Sequence, residues 1–387
     1  MLRRPITGFE DSDRESGGPG DKAGGDGKYA TVTNEDGSFI LRMPSTSTTI
    51  IVSHIGYTTR YLSVGDGRDL RISMVPSTIT LNEVLAANPE DVVRIAIENI
   101  DSNYVNKPVL QTGFYRETTR KGNRFIYIAE AITDMYRRPY TEGIRGDRVA
   151  IRKARRIIST SAKDTLGAKM EGGPTLPLTS DLMKNLDFLF DNETLASYNY
   201  AMGPARSEDG TGLVKVTLTP KPDRRRVLPY ALLYGDLYIT THSLALLHAD
   251  LSLDMTDKAK ATRVMLSRKP MGVKFKPRGM EFSVTYGQDK TGRLTLSYIR
   301  SVMSFKCEWK RKLFSAPYVV TSEMVVTGEQ TDGVKPIQSH ASFNRHESLY
   351  DHPEYFGDPD FWSQYNIIAP TESLEKGIRN LKKRISQ

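Results

Sequence analysis

Met280-Glu281-Phe282-Ser283-Val284-Thr285-Tyr286 is followed by Gly287-Gln288-Asp289-Lys290-Thr291-Gly292 and then by Arg293-Leu294-Thr295-Leu296. In the first run Met280, Phe282, Val284 and Tyr286 alternate with polar residues, the two-residue period of a strand that buries one face. The middle run carries the glycines and the Asp of a turn, and Leu294 and Leu296 resume the alternation, so the whole predicts a hairpin. The same period recurs at Val214, Val216 and Leu218, and at Ala249, Leu251, Leu253 and Met255. Strands wet on one face and dry on the other are expected of an antiparallel sheet. The dry face needs a cover. Ser180 to Phe190 is expected to supply it as a helix, with Ser180 as cap and Leu182, Leu186, Leu189 and Phe190 along one stripe. From Gly113 to about Phe343 the chain therefore predicts an α+β unit, a long curved antiparallel sheet with one covering helix.

Working outward, Asn88-Pro89-Glu90-Asp91 has the residues of a helix start: a capping Asn, a Pro where no N–H is needed and two acids at the positive end of the dipole. Val93, Ala96, Ile97 and Ile100 follow on one face. Before this helix, Thr31-Val32-Thr33 leads into the turn Asn34-Glu35-Asp36-Gly37, and Phe39, Leu41 and Met43 alternate beyond it. Ile50-Ile51-Val52-Ser53 and Leu70, Ile72 and Met74 continue the strand texture, and four short strands at this spacing predict a small antiparallel sandwich. Residues 8–27 hold seven glycines and almost no apolar side chains, so they are expected to be a loose segment. After Phe343 the aromatics crowd together, at Tyr350, Tyr355, Phe356, Phe361, Trp362 and Tyr365, which predicts a tail packed on the larger unit. The chain closes on an amphipathic helix from near Thr371, with Leu374, Ile378, Leu381 and Ile385 on one stripe.

The chain has 387 residues, a length that suggests two or three domains. Apolar residues make up 38% and charged residues 26%, which supports buried cores. The net charge of +8 favours anionic partners only where the cations cluster. One cysteine, Cys307, excludes an internal disulfide framework and a multi-cysteine zinc site. No stretch approaches the roughly 20 apolar residues of a membrane helix. Met1-Leu2-Arg3-Arg4-Pro5-Ile6 is followed by Thr7-Gly8-Phe9-Glu10-Asp11 in place of an apolar run, so no secretion signal is expected in the sequence as it stands.

Few constellations carry chemistry. His346-Glu347 and His352 bring imidazole and carboxylate together, but their spacing of six with Pro353 beside it does not fit two ligands on one helical face. His54, between strand and turn, is expected to be a structural hydrogen-bonder. The lysines flanking Cys307 could favour a thiolate, yet no histidine is nominated as its base, so a structural thiol is expected. No Gly-x-Ser-x-Gly elbow, phosphate loop or dinucleotide fingerprint occurs. No catalytic residue, metal ligand or cofactor is therefore assigned. The basic clusters are Arg152, Lys153, Arg155 and Arg156; Arg224, Arg225 and Arg226; and Lys310-Arg311-Lys312. The first two are the candidate contacts for an anionic ligand, although a strand would split each cluster between its two faces. No nucleic-acid motif accompanies them, and no nucleic acid is expected as partner.

Thr31-Val32-Thr33-Asn34-Glu35-Asp36-Gly37-Ser38-Phe39, Ser53-His54-Ile55-Gly56-Tyr57 and Leu81-Asn82-Glu83-Val84 resemble, in this order, the carboxypeptidase regulatory-like domain common in Bacteroidota envelope proteins. The remainder, from Phe114-Tyr115-Arg116-Glu117 through Phe361-Trp362-Ser363-Gln364-Tyr365, is similar to the long extension of one group of these proteins. The resemblance implies a transthyretin-like β-sandwich on an exported protein. It implies no peptidase, because the module is named after a non-catalytic part of metallocarboxypeptidases and brings no zinc ligands. The front departs from the family: Ile6-Thr7-Gly8 and Asp13-Arg14-Glu15-Ser16-Gly17 echo its turns, but Gly18–Asp26 stands where an apolar strand belongs. Residues 1–28 are accordingly expected to be a disordered or damaged start, with a signal peptide and strand upstream in the intact protein.

Together these features predict a mainly β, α+β chain of five parts: 1–28; the regulatory-like sandwich 29–86; a linking helix 87–106; the β-rich domain 107–345; and the aromatic tail with its terminal helix, 346–387. The expected role is a non-catalytic module of the cell envelope, periplasmic or at the outer membrane, that binds an envelope protein, a lipid or a glycan. The alternatives are a hydrolase assembled from distant residues and an envelope lipid- or lipoprotein-binding half-barrel. A buried acid/base pair beside His54, His242 or His248 in the main concavity would favour the hydrolase.

Overall fold

The computed structural model describes residues 7–9, 29–43, 49–55, 57–63, 70–76, 88–161, 171–204, 212–266, 272–309, 316–356 and 365–385. The small unit is a four-stranded antiparallel sheet of β1 (Thr7–Phe9), β2 (Ala30–Val32), β3 (Thr49–Ser53) and β4 (Arg60–Ser63), in the order β2-β1-β3-β4. Gly8 and Phe9, expected in a loose segment, instead belong to a strand that pairs on both sides, Gly8 opposite Thr31 and Val52. The rest of 1–28 lies outside the described residues, as does the Leu81–Val84 exit. Two expected strands are also reassigned. Phe39–Met43 takes its partners from the far end of the chain: Ile40 bridges Ile367, and Asn366 Nδ2 donates to the Arg42 carbonyl at 3.0 Å. Leu70–Met74 joins no ladder and runs along the outside, where Ser73 O accepts from Arg60 Nη1 at 2.8 Å.

The helices α1 (Pro89–Glu98) and α2 (Ile100–Asn103) follow. Asn88 caps α1 as expected, its side chain accepting from the Glu90 N–H at 3.3 Å, and Val92, Val93 and Ala96 are buried. The large sheet is built from β5 (Val109–Lys121), β6 (Arg124–Arg137), β7 (Arg148–Ile158), β8 (Tyr198–Pro204), β9 (Leu213–Pro220), β10 (Leu233–Thr240), β11 (Leu246–Leu253), β12 (Val273–Gln288), β13 (Leu294–Trp309) and β14 (Ala316–Gln330). Its order is β7-β6-β5-β14-β13-β12-β11-β10-β9-β8, antiparallel throughout. This is one sheet and not a two-sheet sandwich. The opening stretch forms the predicted β12–β13 hairpin, and Asp289 Oδ1 holds its turn by accepting from the N–H groups of Thr291 and Arg293 at 2.8 Å each. Register shifts between Thr119 and Arg120, Ile132 and Thr133, and Pro277 and Gly279 are bulges, which bend long strands.

The topology dictates the cover. β7 and β8 are consecutive in sequence but stand at opposite edges of the sheet. Their connection must cross nine strand spacings, roughly 43 Å at about 4.8 Å each. It does so over the dry face as the short helices α3 (Leu176–Thr179) and α4 (Asn192–Leu195) with a 3-10 turn at Leu186–Phe188. The predicted helix Ser180–Phe190 is corrected here. Ser180 ends α3 instead of opening a helix. Residues 181–185 form turns, and the chain winds again only as the 3-10 turn at Leu186–Phe188. The cause is Asp181: its carboxylate is drawn into the core and accepts from Arg137 Nη2 at 2.5 Å, Tyr140 OH at 3.0 Å and Tyr286 OH at 2.8 Å. Leu182, Met183, Leu189 and Phe190 still cover the sheet, as the apolar pattern required. The tail joins them through Phe343 and Leu349.

Three more helices complete the chain: α5 (Pro222–Val227), α6 (Lys258–Met265) and α7 (Glu372–Ile385). The second face of the sheet is wet only in part. Over β5, β6, β13 and β14, Val32 of the small sheet and Ile367–Ile368 of the tail pack on Phe114, Ile132, Tyr298 and Val325. Beside them Leu374 and Leu381 of α7 pack on Ile128. A Cβ on Gly377 would stand 2.4 Å from Phe125 Cδ2, so a glycine lets α7 approach β6 this closely. Across β12 the same face is exposed at Lys274, Lys276, Arg278 and Glu281.

Candidate functional site

Where the covered part of the second face gives way to the wet part, the sheet register lines up a transverse row of charges. Arg155 stands opposite Glu130, Glu130 opposite Arg116, Arg116 opposite Glu323, Glu323 opposite Arg300, Arg300 opposite Ser283, and Ser283 opposite Asp250. Directly opposed residues share a face, so charges of alternating sign meet side by side. Arg116 donates from Nε to Glu130 at 2.7 Å, from Nη1 to Glu323 at 3.2 Å and from Nη2 to the Ile368 carbonyl at 2.6 Å. Arg155 Nε donates to the other Glu130 oxygen at 2.6 Å. Arg116 and Glu130 are 3% and 2% exposed, so each charge depends on its partners. Burial alone would raise the Glu130 carboxyl, but Arg116 and Arg155 outweigh it and hold it below its usual range. Burial opposes the Arg116 cation in the same way, and Glu130 and Glu323 more than restore it. Tyr298 OH donates to Glu323 at 3.3 Å, and Ser283 Oγ to Asp250 at 2.9 Å.

Above the middle of this row lies a cleft of about 110 Å³. Its walls come from three distant parts of the chain: Thr33, Asn34 and Glu35 of the N-terminal turn; Thr371 and Ser373 at the start of α7; and Arg120, Arg300 and Glu281 of the sheet. The turn is held by Asn34, whose Oδ1 accepts from the Asp36 and Ser38 N–H groups at 3.0 and 2.9 Å while its Nδ2 donates to Pro370 O at 3.0 Å. Glu35 pairs with Arg300. The Asn-x-Asp-Gly turn thus forms one wall of the cleft.

The histidines are distributed as follows. Asp250 lines the cleft, and His248 behind it is 2% exposed. Its Nδ1 meets Thr285 Oγ1 at 2.9 Å, and its Nε2 lies 3.0 Å from Asp250 Oδ1 without the alignment of a hydrogen bond. The imidazole–carboxylate neighbourhood sought at His248 is therefore present, but buried in the sheet. His54 lies against Tyr57 with ring centroids 5.1 Å apart and the rings tilted by 36°, and His242 is exposed in the β10–β11 turn. His352 has both ring nitrogens engaged, 2.6 Å from Glu354 and 2.8 Å from Glu347; burial works to lower its pKa, and the two carboxylates together outweigh it and raise it above the ordinary value. Among the described residues no three His, Cys, Asp or Glu gather as a metal site. Cys307 is 1% exposed, and burial pushes its thiol up to about 11, opposite to the activation its flanking lysines suggested.

The two candidate basic clusters are not brought together. The first lies on the edge strand β7 and is split between faces: Arg152 pairs with Asp134 and Arg155 with Glu130 on the second face, with Lys153 placed there by register. Arg156 turns to the other side, where it donates to Tyr350 O at 2.9 Å and lies 4.6 Å over the Phe356 ring. The second cluster, Arg224 to Arg226, is in the helix α5 near the opposite edge, where Arg225 pairs with Asp254 at 2.7 Å and Arg226 is exposed. Lys310–Lys312 lies outside the described residues. The residues that sequence reasoning missed are Arg116, Glu130, Arg300 and Glu323. Glu130 stands amid apolar strand residues, a pattern that marks a buried charge, but only the register identifies its partner.

No family model matches the chain, and no curated protein matches it. Among solved structures it is similar to a domain described as an outer membrane lipoprotein-sorting protein from Vibrio parahaemolyticus, at 11% identity over 64% of this chain and 95% of that one, with a TM-score of 0.29. A DUF1329 family protein from Desulfovibrio piger follows at 12% identity, 66% and 98% coverage and a TM-score of 0.25. A LolA superfamily protein from Nitrosomonas europaea matches at 12% identity, 67% and 99% coverage and a TM-score of 0.22.

Proposed function

We propose that the chain is a non-catalytic binding module of the cell envelope, and that the cleft above the charge row is its ligand site. One observation carries this: three segments far apart in sequence converge on a cleft of mixed lining, where charged and hydroxyl groups stand beside Phe125, Val302 and Leu374, and its floor charges are already neutralised by one another. Such a floor is rigid and does not need to move protons. The rim offers hydroxyls and charges of both signs, which suit a polar ligand carrying hydroxyl and ionic groups, such as an envelope glycan. A hydrolytic role would need His248 to reach a substrate, and its ring is buried with Nδ1 against Thr285. The envelope assignment and the regulatory-like kinship rest on the motifs of residues 31–39, 53–57 and 81–84. The test is native mass spectrometry of the full chain purified from its own envelope. A polar compound that co-purifies with the wild type and is lost with Glu281→Ala and Arg120→Ala supports the site; a compound retained by both variants, or none at all, overturns it.

A second role is favoured by the topology of the dry face. Much of its cover is a crossover of short helices and turns, joined by the tail at Phe343 and Leu349, and an acyl chain would lie where Leu182, Leu189 and Phe190 now pack. Uptake of a fluorescent fatty acid by the full chain supports lipid carriage, and absence of uptake removes it.

A further inference from the structure

Helices α5 and α6 abut through side chains that reach across to backbone. Lys260 Nζ donates to the carbonyls of Arg225 and Arg226 at 2.6 and 3.0 Å, and Arg263 Nη1 donates to Pro229 O at 2.7 Å. Ala261 and Met265 anchor α6 in the core. The two helices therefore present one fixed corner. Across residues 221–227 and 254–265 seven Lys and Arg meet three Asp, of which Asp254 and Asp257 are committed. Asp257 caps α6 by accepting from the Ala259 and Lys260 N–H groups at 2.9 and 3.1 Å, Asp254 is paired with Arg225, and Asp223 stands 4.0 Å from Arg224. Amid these cations two aliphatic side chains point outward: Val227, 74% exposed at the end of α5, and Val264, 38% exposed beside Arg263.

We infer that this corner is the surface by which the chain lies on an anionic phospholipid bilayer. Cations flanking projecting aliphatic groups are the chemistry of the bilayer interface, where lipid phosphates take the charge and the headgroup–acyl boundary takes the hydrocarbon. A nucleic acid or an acidic protein surface would use the cations and leave the valines without a partner. α5 joins β9 to β10 and α6 joins β11 to β12, and none of the corner's residues lines the cleft, so bilayer docking can be tested apart from ligand binding.

The experiment is co-sedimentation of the full chain with phosphatidylcholine vesicles, with and without phosphatidylglycerol. Binding is expected only with phosphatidylglycerol. Val227→Ser with Val264→Ser, which leaves the charge unchanged, should weaken it roughly tenfold, and so should Arg224→Gln with Arg226→Gln. All four positions are partly or largely exposed, so the melting temperature should not change and the loss cannot be ascribed to misfolding. Absence of binding to phosphatidylglycerol vesicles overturns the inference. It is equally overturned if the serine variant binds as the wild type does and single-stranded RNA displaces the vesicles, which would mark a partner of charge alone.

Discussion

Asp36, in the turn after β2, accepts a hydrogen bond through Oδ2 from the backbone N–H of Glu372, 2.8 Å away, at the first residue of α7. A helix N-terminus leaves its first N–H groups without intrahelical partners, and here one is satisfied by a residue 336 positions away. Thr371 satisfies another by accepting from the Leu374 N–H at 3.1 Å. The two ends of the chain are thereby fastened to each other over the second face. Replacing Asp36 with Ala is expected to cost about 1 kcal/mol, within the usual range for a lost cap. Amide hydrogen exchange should show the loss as faster exchange confined to the first turn of α7; unchanged exchange there would contradict the role given to Asp36.

Arg116 is the keystone of the charge row. Arg116→Met should destabilise the protein by roughly 3–5 kcal/mol, the cost of leaving buried charges without a partner. Glu130 would retain Arg155 and Glu323 would retain Tyr298, so the loss is expected toward the lower end. Adding Glu130→Leu should recover part of it, because an apolar pair does not carry an uncompensated charge. Urea unfolding of the single and double variants measures both, and a double variant less stable than Arg116→Met would count against the pairing.

Glu117 is a buried acid on the dry face, where Tyr115 OH donates to its carboxylate at 3.0 Å. Burial raises its pKa from 4.5 to about 7, with the Tyr115 hydrogen bond opposing. The folded state then holds this proton more tightly than the unfolded chain. Stability is fully present below the unfolded value and falls as the pH rises from about 4.5 to about 7, with a slope of at most ~1.4 kcal/mol per pH unit. Glu117→Gln should flatten that part of the stability–pH curve and leave the variant more stable than the wild type at pH values above the window. Denaturation curves across the window decide it.

Cys307 should be inert in the folded protein. It is 1% exposed, with its thiol pushed up to about 11 by burial. A thiol reagent at mildly alkaline pH should modify it only after unfolding in urea, and rapid stoichiometric labelling of the native chain would refute its burial.

What the sequence determined by itself was the local alternation of apolar and polar residues. At Met280–Tyr286, Val214–Leu218 and Ala249–Leu253 the period of two is a property of neighbouring residues, so it named strands, their one-sidedness and the β-rich class. Asn88 and Pro89, likewise local, fixed the start of α1. The turn glycine at 37 has φ +83°, a conformation that favours glycine and was legible from the Asn-x-Asp-Gly run. Only the tertiary structure decided which strands stand side by side. Register is a long-range property, and a charge such as Arg116 reads the same in sequence whether it meets Glu130 and Glu323 or water. The same holds for Ser180–Phe190: its apolar content correctly marked a cover, but the buried Asp181, held by Arg137, Tyr140 and Tyr286 from other elements, overrode helical propensity. Phe39–Met43 looked like a sandwich strand because its side chains alternate, yet its partners, Asn366 and Ile367, lie more than 300 residues away. Hydrogen bonds and ion pairs between residues so distant are selected by packing of the whole chain, and no window of sequence contains both partners.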